Sequence, residues 1–350
     1  MATIKQIAQM AGVSTATVSN VLNGRAGAAS PEKSAEIIDI AKKLNYTANV
    51  FARRLQQGKS NCIGVITEDL TVFNTPYIVD GIDSKCKDSG FEMLLENMRF
   101  FQKFALDFSN IKAQRELCLK HIESLLSKQV EGIIYIANHC REITYIPDNL
   151  NVKIACAYCY SPENRHSAVL MDDEKAGYEI TKLLISRGHA RIGIICGPIV
   201  SYHTQKRLAG YQEALFDSGI LYNAKTVRYG NWTRDDGYIY ARELYEAGCT
   251  AIFAFNDLMA GGAEDWFRDN SIAVGRDVAV FGFDDREVSR FCSPQIPTAS
   301  LPLFEIGQKS AELIINSALS PDETETCLLP CNIIERASSM TGIAAPSIDS

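Results

Sequence analysis

The sequence predicts an α/β protein in two parts: a small all-α N-terminal head, then a body of two lobes built on parallel sheets. Three observations carry that reading. The first 60 residues place apolar side chains at helical spacing and contain no strand-like run. From Cys62 onward, short β-rich apolar runs alternate with amphipathic segments, the pattern of parallel sheets covered on both faces. About ten such runs are too many for one doubly wound sheet in this length, so two lobes with a cleft between them fit better.

In the head, Ile4, Ile7, Ala8 and Ala11 share one helical face, and Gly12 ends that helix. Ser14 is placed to cap a second helix, Thr15 to about Leu22, with Val18, Val21 and Leu22 inward. Asn23 and Gly24 stop it. Ser30 and Pro31 form a cap followed by proline at the first helical position, opening a third helix to about Leu44. That helix is expected to bury Ile37, Ile38, Ala41 and Leu44. Two short helices joined by a tight turn, with a third closing the core, is the helix-turn-helix plan.

The body reads as strands CIGVIT, FEMLLEN, GIIYIA, KIACAY, AVLMD, RIGIICG, TVRYG, TAIFAF, VAVFGF and TASL. Helical segments fall between most of them, at 76–89, 115–128, 174–187, 203–218, 233–247 and 257–270. The lobe break is expected near Tyr160–Asn164. The boundaries are 1–48 for the head, 49–60 for a hinge and linker, and 61–350 for the body. Lobe 1 is then about 61–160 and 293–324, and lobe 2 about 161–292 and 325–338. A segment with Phe100, Phe101, Phe104 and Phe108 is long for a connection. An extra short helix on the lobe surface is the favoured reading, and a lid over the cleft is the alternative.

Charge divides with the domains. Residues 1–60 hold eight Lys/Arg against three Asp/Glu, and the remainder holds 27 against 39. A basic head on an acidic body points to a polyanionic partner for the head alone. The 11 cysteines are scattered and mostly sit in apolar runs, which argues for reduced thiols and against a disulfide framework. The pair Cys156 and Cys159 lies inside a strand-like run, with no second pair at zinc spacing. Neither a metal nor a cofactor is expected. No apolar run reaches membrane-spanning length, and no basic-then-apolar leader opens the chain, so a cytoplasmic location is expected.

Enzyme signatures are missing as well. No GxGxxG or GxxxxGK[ST] loop follows a strand, and neither GxSxG nor HExxH occurs. No catalytic residue is therefore assigned. A two-lobed sugar-transport protein shares the body plan, but a basic helix-turn-helix head does not suit it.

The stretch TIKQIAQMAGVSTATVSNVLNG resembles the lactose-repressor/galactose-repressor (LacI/GalR) family of bacterial regulators. The similarity continues through Asn45-Tyr46, Asn49, Ala52-Arg53 and Leu55. It resumes at Gly188-His189, Arg207-Leu208-Ala209-Gly210, Asn256-Asp257 and Gly282-Phe283-Asp284. The resemblance spans essentially the whole chain. It implies a periplasmic-binding-protein-like effector domain and a sequence-specific repressor acting as a homodimer on near-palindromic operator DNA. It also implies control by a small molecule, a sugar, held between the lobes.

The resemblance puts base-reading side chains at Thr15, Ala16 and Asn20 of the second helix, the one that enters the major groove. Ser14, Thr17, Ser19, Asn23, Arg25 and Tyr46 are candidates for the DNA backbone. It further implies a hinge helix from Asn49 to about Gln57. That segment is too short to hold a helix in water alone. Leu55 would wedge into the minor groove, with Asn49, Arg53 and Arg54 beside it.

For the effector, Arg207 and Asp284 each follow an apolar strand, at the carboxyl ends where ligands bind. A guanidinium fork and a carboxylate suit vicinal hydroxyls. Trp232 could lie against a pyranose face, and Asn256 ends the strand TAIFAF. Asp69, Phe73 and Asn74 after the first strand, and Tyr160 after KIACAY, are the candidates from the other lobe.

Overall fold

A computed structural model describes residues 2–25, 27–46, 60–105, 107–147, 150–316 and 324–339. The chain divides into two compact units, Met1–Ser60 and Asn61–Ser350.

In the first unit, α1 (Ile4–Ala11) opens on a capping box in which Thr3 and Gln6 satisfy each other's backbone N–H. Gly12 closes it at φ 64°, a left-handed conformation that costs glycine nothing. The side chain of Ser14 accepts the Thr17 N–H at 3.0 Å and starts α2 (Thr15–Leu22). Ser30 caps α3 (Pro31–Lys43) in the same way. Ile7, Val18 and Ile37 meet in a core that leaves all three fully buried. One expectation fails here. Ile38 is exposed and Ile40 is inward: the buried face of α3 runs through Ile37, Ile40 and Ala41, and Ile38, about 100° around the helix from Ile37, falls beyond its edge.

The second unit begins with β1 (Cys62–Thr67), α4 (Thr75–Asp88), β2 (Glu92–Asn97), α5 (Phe100–Phe104), α6 (Ile111–Ser127), β3 (Gly132–Ile136), β4 (Lys153–Ala157) and β5 (Ser167–Met171). Then come α7 (Asp173–Ser186), β6 (Ile192–Cys196), α8 (Tyr202–Asp217), β7 (Val227–Tyr229), α9 (Arg234–Glu246), β8 (Ala251–Ala254), α10 (Asp257–Asp269) and β9 (Ala279–Phe281). The described chain ends with α11 (Glu287–Phe291), β10 (Thr298–Ser300), α12 (Leu303–Asn316), β11 (Thr326–Leu329) and β12 (Asn332–Ile334).

Two parallel sheets carry the lobes. The first has the order β11-β5-β4-β3-β1-β2 and the second β7-β6-β8-β9. The expected lobe boundary needs correcting at two places. β5 pairs with β4, with Ala155 opposite Ser167, so it belongs to the first lobe; the turn at Pro162–Asn164 only links neighbouring strands. β11 pairs with β5 and also joins the first sheet, although residues 325–338 were expected in the second lobe. The chain therefore passes to the second lobe at Asp172–Asp173, where β5 gives way to α7. β10 and β12 form an antiparallel pair between the lobes.

Glycines set how closely the helices approach. A Cβ on Gly81 of α4 would sit 2.0 Å from the Phe304 carbonyl oxygen of α12, and one on Gly307 of α12 would sit 2.1 Å from that of Ile78. Gly177 and Gly210 do the same for α7 and α8, and Gly237 and Gly262 for α9 and α10. Each pair brings two helix backbones into contact, which pins the elements that carry the site.

The phenylalanine-rich segment packs on the first lobe. Phe100 is fully buried, with Phe104 at 4.9 Å and Phe108 stacked at 5.5 Å between ring centroids. All 11 cysteines are free, and nine are buried. Among the described residues, no helix is long and apolar enough to cross a membrane.

Candidate functional site

On the head, Thr15 and Ala16 lie exposed in the first turn of α2, and Asn20, half-buried, follows one turn on. All three are thus on the solvent side of the helix whose opposite face holds Val18 and Val21 in the core. Ser14 caps the helix and also touches the Thr17 hydroxyl at 2.9 Å. Ser19 accepts from the Asn23 amide at 3.3 Å. Arg25 is exposed, and Tyr46 packs against the head core. Asn49, Arg53 and Leu55 lie outside the described residues.

In the body, the lobes meet at the carboxyl ends of their strands. Tyr158, after β4, sits 5.2 Å from His203 of α8, and Tyr160 sits 5.6 Å from Tyr202. The Arg286 guanidinium lies 4.9 Å over the Phe73 ring, another contact from lobe to lobe. Phe73 and Asp284 also line a groove of about 810 Å³ with Tyr77, Leu301 and Phe304. That volume falls in the range of small-molecule sites.

Arg207 is the centre of the second lobe's contribution. It stands in the second turn of α8, one turn beyond where the strand RIGIICG led us to expect it, and is buried. Its Nε donates to Asp173 Oδ1 at 2.7 Å, its Nη1 donates to the Phe255 carbonyl, and its plane lies 3.5 Å from the Phe283 ring centroid. The second oxygen of Asp173 takes His203 Nδ1 at 2.8 Å. A carboxylate only accepts, so His203 Nδ1 carries a proton. Burial pushes the Asp173 carboxyl up, but His203 and Arg207 outweigh it and hold it below its usual value.

Asp284 stands 4.0 Å from Arg207 Nη1 at the end of β9. Its φ of 107° is one that residues with a side chain rarely adopt, and its N–H is fixed on the Ala299 carbonyl at 2.9 Å. Burial raises its carboxyl to about 7, against the pull of Arg207 and Arg286. Trp232, at φ 68°, rests its ring on Gly197, where a Cβ would come within 2.0 Å. Asn256 caps α10 by accepting the Met259 N–H at 2.8 Å, and its amide donates to the Trp232 carbonyl at 3.1 Å.

Several buried polar atoms at this boundary find no hydrogen-bond partner in the protein: Asn74 Oδ1, both amide atoms of Asn138, His203 Nε2 and Thr204 Oγ1. Buried polar groups are ordinarily paired, so these atoms can take a polar partner from outside the chain. Among the described residues no group of His, Cys, Asp or Glu is arranged to hold a metal ion.

Comparison with known proteins matches this division. Residues 3–49 fit the model of bacterial regulatory proteins of the lacI family, and residues 181–339 a periplasmic binding protein-like domain. An HTH-type transcriptional repressor PurR of Pasteurella multocida is 30% identical over 322 residues, 90% of this chain and 91% of the relative. The chain belongs to the lacI family. It is a DNA-binding transcriptional repressor of that family, not an enzyme. The fold matches that of the lac repressor dimer bound to operator and the anti-inducer ONPF, with a TM-score of 0.77 at 24% identity over 97% of this chain and 99% of that one. It also matches a transcriptional regulator CelR–cellobiose complex, with a TM-score of 0.62 at 25% identity over 97% and 100%.

Within this lacI-family chain, the sequence-predicted cleft residues separate into groups. Arg207 stands beside Asp284 and Asn256 beside Trp232 in the second lobe, Tyr160 meets Tyr202 of that lobe from the first, and Asn74 bonds within the first lobe to the Asn138 carbonyl. Asp69 is buried and spends Oδ1 on the Thr71 N–H at 3.0 Å and hydroxyl at 2.7 Å, which makes it a turn former. Phe73 lies beneath Arg286. Asp173, His203, Tyr158 and Asn138 were missed. Asp173 reads from sequence as an acid in a helix's first turn, which the helix dipole alone explains. His203 carried a usable signal, since it precedes Arg207 by one helical turn.

Three acids in the second lobe set a pH dependence. Burial first, and then the Asp284 charge, raise Asp257 to about 8; burial raises Glu264 to about 8, with its Oε1 unpartnered. These groups hold protons in the folded protein that the unfolded chain has released. Stability therefore falls as pH rises from about 4 to about 8 wherever they act. The variant Glu264→Gln is expected to gain on wild type in urea unfolding between about pH 5 and about pH 8. An equal difference at both pH values would show that Glu264 does not titrate there.

Proposed function

We propose that this repressor binds a near-palindromic operator as a homodimer and is switched by a small, uncharged polar molecule, a sugar, at the lobe boundary. The observation that carries the ligand half is the fixed Arg207–Asp173–His203 group beside Asp284. Arg207's charge is matched by Asp173, and Arg286 acts on the Asp284 carboxyl, so each of these cations already has an acid beside it and neither is set aside for a phosphate or carboxylate. The site offers instead donors and acceptors that lack partners, with Tyr158, Tyr202 and Trp232 as flat apolar surfaces. That combination suits a pyranose, whose hydroxyls both donate and accept and whose ring has apolar faces. The CelR relative in complex with cellobiose is in keeping with this class.

Because the site bridges the lobes, a ligand there favours one lobe arrangement over another. Asn49, Arg53 and Leu55 belong to the same reading, as the hinge through which lobe arrangement reaches the DNA. The two-fold operator follows from the few base contacts one helix-turn-helix makes, with two heads on one site. The lac repressor dimer on its operator is a fold neighbour of that kind.

Calorimetric titration against mono- and oligosaccharides and free nucleobases tests the ligand class. A saccharide hit lost in Asp284→Ala supports the proposal. A nucleobase binding in preference to every sugar would overturn the sugar half, and unchanged binding by Asp284→Ala would overturn the site.

On the DNA side, Asn20 is the residue able to pair with adenine N6 and N7. Asn20→Ala is expected to relax base preference at one operator position at a cost on the order of 1–3 kcal/mol. Binding measured across all four bases at each position decides this, and an unchanged preference profile contradicts it.

A further inference from the structure

The phenylalanine-rich segment and a buried charge beneath it account for how the first lobe presents its polar face. Glu68 follows β1 and is fully buried. Both its oxygens are engaged by Arg141, and Oε1 also takes the hydroxyls of Tyr135 and Tyr145 at 2.8 and 2.9 Å. Oε2 accepts the backbone N–H of Asn138 at 2.8 Å. Arg141 in turn lies 4.1 Å from the Phe108 ring centroid and 5.8 Å from that of Phe100. The Phe100 N–H donates to the Glu68 carbonyl at 2.7 Å, tying the segment to the same residue.

The outcome of that stack is Asn138. It stands two residues past β3, at the strand ends that meet the second lobe. Burial first, and then the fields of His203 of α8 and Arg141, push its neighbour His139 down to about 4. The Asn138 carbonyl takes the Asn74 amide at 3.4 Å. Its backbone is thus held at both N–H and C=O, while its side chain is 2% exposed with both amide atoms unpartnered. An amide fixed in this way can read one donor and one acceptor on a ligand at once.

We propose that Asn138 is a specificity-determining residue of the effector site, and that Phe100, Phe108, Arg141 and Glu68 are its positioning residues. The segment is then a buttress, and the lid reading is set aside. The aromatic cover keeps water from the Arg141–Glu68 pair, which keeps that pair rigid. This rests on the reading of the lobe boundary as the effector site, so the test has a ligand-free arm.

In that arm, amide hydrogen exchange is measured on the full chain for wild type, Phe108→Ala and Arg141→Met. The Asn138 N–H is expected to exchange at least about tenfold faster in both variants, with β6 of the second lobe unchanged. Unchanged Asn138 exchange, or a uniform rise across both lobes, would overturn the positioning role. In the ligand arm, cellobiose, galactose, ribose and adenine are titrated into wild type, Asn138→Asp and Asn138→Ser. Exchanging the amide's donors for acceptors is expected to change the order of preference among the probes, with the best binder weakened about tenfold or more. A uniform loss for all probes, or no change, would overturn the specificity role. Failure of every probe to bind wild type would overturn the effector reading and the ligand role together, leaving positioning to be judged by exchange.

Discussion

Arg207→Met is expected to cost about 3–5 kcal/mol of folding stability, because it strands the Asp173 carboxylate in the interior with one partner fewer. It is also expected to abolish the response of operator binding to effector. The two effects separate in a double variant. Arg207→Met with Asp173→Leu removes both charges, and burial of an apolar pair of similar volume restores much of the stability. Effector binding stays lost, since the group that faces Asp284 is gone. Urea unfolding and ligand titration of the three proteins test this. A double variant that recovered ligand binding along with stability would show that Arg207 only supports the fold.

The second large effect is in the head. Ile37→Ala is expected to cost about 2–5 kcal/mol, the usual range for an isoleucine truncated in a packed core. Ile37 is fully buried in the core that holds Ile7 and Val18, so truncation leaves a cavity among buried neighbours. A unit with so small a core has little stability to spare. The variant is expected to lose operator binding at ordinary temperature while the second unit, Asn61–Ser350, keeps its ligand affinity. Circular dichroism and anisotropy on an operator duplex read the two outcomes. Operator binding equal to wild type would mean the head's stability lies elsewhere.

The contrast between these two regions explains what could be read in advance. The head was legible because its signals are local. Gly12, Ser14, Ser30 and Pro31 mark helix ends by chemistry acting over three or four residues, and each stands where the structure uses it. Ile38 and Ile40 were confused because a helix's angular position depends on what it packs against. The body's strands were legible as unbroken apolar runs. Their lobe membership was not: β5 stays in the first sheet by pairing with β4 just before it, and β11 joins that sheet by pairing with β5 between residues far apart in sequence.

The site shows the same division. Arg207 and Asp284 could be named together because both follow a strand, and strand carboxyl ends collect ligands; their side chains stand 4.0 Å apart. Asp173 and Asn138 gave no such signal, since what makes them notable is the partner they have or lack. Asp69 was chosen for its place after β1, yet its carboxylate serves the turn.

The central claim is that one molecule at the lobe boundary and the operator at the head act on a common equilibrium. Linkage makes the coupling reciprocal: an effector that changes operator affinity by some factor must have its own affinity changed by the same factor when operator is bound. The direct measurement is the dissociation constant of the best-binding ligand for the free protein and for the protein saturated with operator duplex. The account predicts two different values, whose ratio equals the ratio of operator affinities with and without ligand. Equal ligand affinity in the two states, with tight operator binding, would contradict it.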